Sequence, residues 1–267
     1  MELQGRVGEL RKRGLGLAVV TYDSVAVLAD FSARRAITFP LLSDSGSATI
    51  KRYGILNTTI PETNELFGYP FPGTFILDRS NIVTARFFER TYQERDTIQS
   101  ALARLGNTID AAALKTSAPH LEITSYLTDQ VAAPGTHFSV VLDFVVAPRV
   151  HVYAPGATGY KPISLAIQPQ PGLIVREPHF PKAEDYFFKP LGEHVPVFQK
   201  RFRIIQDVEI DPSRDAATTL DAMKSITIAA TLSYQACDDK VCFAPQSVPL
   251  SWNIALRPLD RERAKRF

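Results

Sequence analysis

Two kinds of apolar spacing divide the chain. Up to about residue 105, helical spacing alternates with short continuous apolar runs. Leu3, Val7 and Leu10 share one face of a helix over residues 2–13, which Gly14 stops. The run LGLAVVT, residues 15–21, has the length and unbroken apolarity of a buried parallel strand. Asp23 or Ser24 can cap a helix reaching about residue 35 with Val27, Leu28 and Phe31 inward. TFPLL, residues 38–42, is extended, and Ser45 or Ser47 opens a helix toward Tyr53 that Gly54 ends. Residues 74–77 and 82–88 flank the turn Arg79, Ser80, Asn81 as a hairpin, followed by a helix over about 94–105. Alternating helices and strands of this kind predict an α/β domain.

Beyond a polar, patternless linker at 107–118 the period changes to two. Strands are expected at 120–127, 136–146, 149–153, 163–167, 173–176 and 197–205. Ala133-Pro134-Gly135, Ala154-Pro155-Gly156, Gln170-Pro171-Gly172 and Asp211-Pro212-Ser213 punctuate them. Two more alternate as Ile226, Ile228, Ala230, Leu232, Tyr234 and as Val248, Leu250, Trp252, Ile254, Leu256, forming a hairpin with its tip at 236–246. Many short antiparallel strands imply an all-β sandwich with Trp252 in its core. The domain plan is thus 1–106, linker 107–118, sandwich 119–258, and a charged, solvated tail at 259–267 that includes DRERAKRF.

Composition narrows the function classes. The 267 residues, 45% hydrophobic, suffice for two cores of ordinary size. A formal charge of +2, with basic residues clustered only at the tail, argues against nucleic acid as a partner. No apolar run approaches the length of a membrane span. The opening MELQGRVGELRKRG has no apolar core and does not read as a signal peptide.

Covalent chemistry points to the hairpin tip, which holds both cysteines, Cys237 and Cys242. A bond between them would close a short ring and stabilise the fold by only about 2 kcal/mol, a weak structural staple. Exposed or strained disulfides are more often exchanged than structural. Asp238 and Asp239 disfavour a Cys237 thiolate while Lys240 only partly favours it, so the pair suits a disulfide attacked by another thiolate. A structural disulfide, two unpaired thiols and half a metal site remain the alternatives. Against the metal, His120, His137, His151, His179 and His194 show no paired ligand spacing. No metal or cofactor is called for.

YQACDDKVCFAPQSVPLSW, residues 234–252, resembles the cysteine-bearing hairpin of the DsbD N-terminal-like, immunoglobulin-like family of disulfide interchange domains. The strand-rich segment extends the resemblance over about 119–258. It implies that Cys237 and Cys242 are the redox pair and exchange disulfides with a thioredoxin-fold protein or domain. It also implies an aromatic cap loop shielding them, best matched by Asp185, Tyr186, Phe187 and Phe188. An extracytoplasmic setting would follow, where stable disulfides belong.

The first domain resembles a thioredoxin-fold redoxin of the peroxiredoxin and AhpC/TSA group over about 1–105. LAVVTYDS (17–24), ITFPLLSD (37–44), RYGI (52–55) and PFPGTFILD (70–78) carry the resemblance by their order and spacing. Pro72 would match that fold's cis proline and present the carbonyl of Phe71 to an incoming extended chain. In redoxins the reactive cysteine sits at the amino end of the first helix; here Met1 falls within that helix and no cysteine precedes Cys237. Peroxidase chemistry by this segment is therefore not supported. The resemblance further implies an absent central strand between the strands at 15–21 and 74–77, so a fragment or a late start is expected. The expectation is thiol:disulfide exchange at the cysteine pair, coupled to a redoxin-like domain without its catalytic cysteine. The alternative is a non-enzymatic immunoglobulin-like binding module with a structural disulfide.

Overall fold

The computed structural model describes residues 2–65, 67–88, 95–106, 112–188 and 192–258. The chain divides into two compact units with the boundary after Ile98.

In the first unit, α1 (Glu2–Lys12) buries Val7 and Leu10, and Gly14, at φ 74°, turns the chain out of it. The expected long strand shortens to β1 (Val19–Thr21). α2 (Val25–Arg35) is capped by Ser24, whose hydroxyl accepts from the Val27 N–H at 3.4 Å, and it buries Leu28. β2 (Leu41–Ser43) pairs parallel with β1. The cap of α3 (Ala48–Arg52) comes from a residue the sequence did not single out. Ser47 makes no side-chain cap, while the Asp44 carboxylate accepts from Thr49 N at 3.1 Å and Ile50 N at 2.8 Å. A carboxylate there also meets the positive end of the helix. Asp44 is accordingly held below the ordinary carboxylate range, the Ile50 N–H being the largest cause.

β3 (Gly73–Leu77) and β4 (Val83–Phe88) form the expected hairpin. Its turn is tied by Asp78 Oδ1, which accepts from Ser80 N and Ile82 N, with Asn81 at φ 62°. Phe75 packs edge-on to Tyr53 and Phe88, and a β-carbon at Gly73 would collide with the Phe88 ring. The expectation of a cis Pro72 is corrected: the Phe71–Pro72 bond is trans. Trans is lower by about 0.5–1 kcal/mol for an X–Pro bond. The Phe71 N–H donates to Ile55 O at 2.7 Å, which fixes the entry to β3 without a cis turn. Among the described residues β1 pairs only with β2, and β3 only with β4, as two separate two-stranded sheets. No strand lies between β1 and β3 in a shared sheet among the described residues.

The second unit is an immunoglobulin-like β-sandwich. α4 (Ile98–Arg104) is shorter than expected, and Glu94 lies outside the described residues. It is fastened to the sandwich by polar contacts: Ser100 Oγ lies 2.6 Å from Ser139 Oγ, Arg104 is 2.9 Å from Asp207, and Ala103 O accepts from Arg203. Part of the expected linker is a strand, β5 (Leu114–Ala118), paired with β6 (Leu121–Leu127). The rest follows as β7 (Val131–Ala132), β8 (Thr136–Val146), β9 (His151–Tyr153), β10 (Ser164–Ile167), β11 (Leu173–His179), β12 (Glu184–Phe188), β13 (Glu193–Phe198), β14 (Arg201–Ile210), α5 (Arg214–Asp221), β15 (Ser225–Tyr234), β16 (Ala236–Cys237) and β17 (Gln246–Leu256). The single strand expected over 197–205 is two, β13 and β14, because Lys200 takes a left-handed conformation (φ 57°) and reverses the chain.

One large sheet runs β11-β14-β8-β6-β5, antiparallel throughout; a second runs β10-β15-β17-β7. Period-two patterning turns Phe138, Val140, Leu142 and Phe144 of β8 toward Ile226, Ile228, Leu232 and Ile254 of the β15–β17 hairpin, and all are buried. The hairpin is zipped from Ser225↔Ala255 to Tyr234↔Gln246. Trp252 is buried in this core and donates its indole N–H to Ser125 Oγ at 3.2 Å. A third, smaller sheet runs β12-β13-β9-β16 and contains Cys237.

Candidate functional site

The site exists because the β15–β17 hairpin does not end in a simple turn. Past Tyr234 the chain leaves its partner strand, and β16 adds to the third sheet, pairing Ala236 with Val152 and Cys237 with His151. A short ring then returns the chain to β17. Cys237 and Cys242 are joined by a disulfide across it. Asp238 shapes the ring: its Oδ1 accepts from Lys240 N and Val241 N, each at 2.7 Å, and its own N–H donates to Val241 O. These N–H donors hold Asp238 below the ordinary carboxylate range. Outside the ring, Phe243 N donates to Ala236 O, and the Phe243 ring stacks on His120 at 3.9 Å.

The two sulfurs have unlike surroundings. Cys237 is 1% exposed, packed in a small apolar cluster with Tyr153, Ala157, Val195 and Val197. Cys242 is exposed, next to Val241 at 55%. Tyr153 spans the pair, its hydroxyl 3.4 Å from Cys242 Sγ. Its ring stacks on Tyr160 at 4.1 Å, and the Tyr160 hydroxyl donates to Glu193. Burial foremost, then Tyr160, drives the Tyr153 phenol well above its usual range, so it stays protonated. On the other side, Tyr186 donates to Asp239 Oδ1 at 2.6 Å and its ring lies 4.4 Å from that of His151. That hydrogen bond, then burial, pushes Tyr186 up to about 12.

The residues Asp185, Tyr186, Phe187 and Phe188, expected as a cap loop, form strand β12, paired with β13 from Glu184↔Val197 to Phe188↔Glu193. Strand alternation splits them. Tyr186 faces the cysteine ring, with Phe188 half-buried on the same side of the strand. Asp185 and Phe187 point the other way, where His194 Nδ1 lies 2.7 Å from Asp185 Oδ2 and the His194 ring is tilted against that of Phe187 at 4.9 Å. Phe71 and Pro72 belong to the first unit, at the entry to β3. His151, Tyr153 and Tyr160 went unrecognised in the sequence. The pattern HVY does place His151 and Tyr153 on one face, but nothing local pairs that strand with Cys237. Among the described residues no cluster of metal ligands occurs, and no helix is long and apolar enough to cross a membrane.

An exposed half-disulfide on an immunoglobulin-like sandwich, ringed by phenols and carboxylates, defines a class of domain: one fitted to thiol:disulfide exchange. Comparison with known families agrees. Residues 124–250 match the family model of the N-terminal part of the thiol:disulfide interchange protein DsbD, and residues 1–86 match the AhpC/TSA family. The two matches fall on separate segments of the chain, in the order AhpC/TSA then DsbD N-terminal. Among solved structures it is similar to the reduced DsbD N-terminal domain of Neisseria meningitidis, at 16% identity and TM-score 0.30, covering 44% of this chain and 81% of that one. It is also similar to the N-terminal periplasmic domain of ScsB from Proteus mirabilis, at 14% identity and TM-score 0.35, covering 55% and 51% of the two chains. No curated protein matches the chain.

Proposed function

We propose that the Cys237–Cys242 disulfide exchanges electrons with the dithiol of a thioredoxin-fold partner protein, with attack at the sulfur of Cys242. The observation that carries this reading is the asymmetry of the bond: Cys237 is 1% exposed, whereas Cys242 stands at the surface. A partner thiolate reaches Cys242 Sγ, forms a new S–S bond there, and Cys237 Sγ leaves with the electron pair. The partner's second thiolate then attacks its own sulfur in the mixed disulfide and releases Cys242. Two electrons and two protons end on the cysteine pair, and the partner is left as a disulfide. Tyr186, anchored to Asp239, acts as the shield over the buried sulfur, so β12 serves in place of the expected cap loop. Residues 1–106 carry no cysteine, so the exchanging thiol lies outside them, on a thioredoxin-fold protein or domain.

A purely structural role is the weaker reading. The ring is already held by the Asp238 bonds and by Phe243 N to Ala236 O, and so short a cross-link adds only about 2 kcal/mol. Titration in glutathione buffers, with thiols counted by alkylation, separates the two. An exchanging bond opens at a potential above about −300 mV; one that stays closed throughout the glutathione range is a staple, and the proposal fails.

A further inference from the structure

His151 is 2% exposed, its ring set against those of Tyr153 and Tyr186. A titratable ring so placed beside a reactive bond can answer a change of charge there. His151 stands directly opposite Cys237 in the antiparallel β9–β16 pair. Opposed residues project to the same face with β-carbons about 4.5–5.5 Å apart. A bonded disulfide sulfur donates nothing and accepts poorly, whereas a reduced Cys237 offers a thiol or thiolate.

We propose that His151 is the charge partner of Cys237, neutral while the disulfide is closed and protonated against the Cys237 thiolate once it opens. This rests on the exchange reading above. The partner thiolate bonds to Cys242 Sγ, the Cys242–Cys237 bond breaks, its electron pair stays on Cys237 Sγ, and solvent supplies the proton that the imidazole takes up. In the reverse step the thiolate re-attacks Cys242, the partner's sulfur leaves, and the proton returns to solvent.

The groups facing the ring fit this division of labour. β9 contributes Tyr153, with ring centroids 5.4 Å apart, and β12 contributes Tyr186; both phenols are held above their usual range and stay neutral. β13 sets Val197 and Phe198 opposite Tyr153 and Val152, with no titratable group in that register. The cysteine ring contributes Cys237, Asp238 and Asp239. Burial lowers the His151 pKa, and Asp239 and Asp238 pull it back upward. With the sulfurs bonded, burial prevails; a thiolate alongside adds a third negative charge and tips the balance toward imidazolium.

The test compares oxidised protein with protein reduced by a phosphine, which opens the bond whatever its potential. Ring resonances of His151 in nuclear magnetic resonance spectra near neutral pH should report a neutral imidazole when oxidised and an imidazolium when reduced. In His151→Gln the ultraviolet thiolate band of the reduced protein should move to higher pH by a unit or more, about tenfold less thiolate near neutral pH. An unchanged His151 protonation state in the two forms overturns the proposal. So does a thiolate titration that His151→Gln leaves in place; if that variant does not fold, the wild-type spectra decide alone. A disulfide that glutathione cannot open defeats the exchange reading instead, and is scored separately from these results.

Discussion

The two units resemble thiol-redox families alike, yet they differ in what they bring to the chemistry. Among its described residues the first unit has two short two-stranded sheets and a thin set of buried apolar residues, Val7, Leu10, Leu28, Phe39 and Ile50, and no cysteine precedes Cys237. The sandwich buries a continuous core from Leu121 to Ile254 and uses that rigidity to hold the crossover to the third sheet, with one sulfur sealed in and the other outside. Family resemblance alone therefore does not locate chemistry. The rigid sheet that positions the sulfurs does.

Stability measurements press on this contrast most strongly. Ile228, wholly buried and opposite Trp252, should cost about 2–5 kcal/mol as Ile228→Ala, read from the fluorescence of the single tryptophan during urea unfolding. Leu28→Ala should cost the first unit about 2 kcal/mol by circular dichroism and leave the tryptophan midpoint where it is. A joint shift of both signals would erase the distinction between a weak and a strong unit.

Acid gives a finer comparison. Asp44 and Asp238 both have folded pKa values depressed by backbone N–H donors, so each contributes stability fully present above the unfolded carboxylate pKa. That contribution is lost as pH falls through the folded value. Asp44→Ala should therefore make the first unit less stable at neutral pH and flatten its loss of stability in acid. Asp238→Ala should lower the sandwich midpoint by less than Asp44→Ala lowers that of the first unit, and should speed opening of the disulfide at neutral pH, because it frees the ring rather than the core. Equal effects of the two on global stability would contradict this.

The smallest effect is expected at the shield. Tyr186→Phe removes the hydrogen bond to Asp239 in a partly exposed setting, worth at most about 1 kcal/mol, so reduction by dithiothreitol should quicken no more than about fivefold. A slower rate would mean that Tyr186 assists the attack rather than screens it.

Much of this architecture is legible in the sequence, because period-two alternation over long strands needs no distant information. β8 and the β15–β17 hairpin follow directly from it, as does the burial of Trp252. What stays hidden has specific causes. The reversal at Lys200 uses neither glycine nor proline, so an apolar run conceals a turn between β13 and β14. The acidic and aromatic run at β12 reads as a loop until β13 pairs with it. The cap of α3 falls to Asp44, one residue before the serines that invite the role. His151 could not be assigned at all, since its place opposite Cys237 is a contact across more than eighty residues of sequence.

The asymmetry of the bond can be measured directly with single-cysteine variants and glutathione disulfide. Cys237→Ser leaves the exposed Cys242, which should form a stable mixed disulfide within minutes, seen as one glutathione adduct by mass spectrometry. Cys242→Ser leaves the sealed Cys237, which should remain largely unmodified over the same time. Equal labelling of both variants, or faster labelling at Cys237, would contradict attack at Cys242.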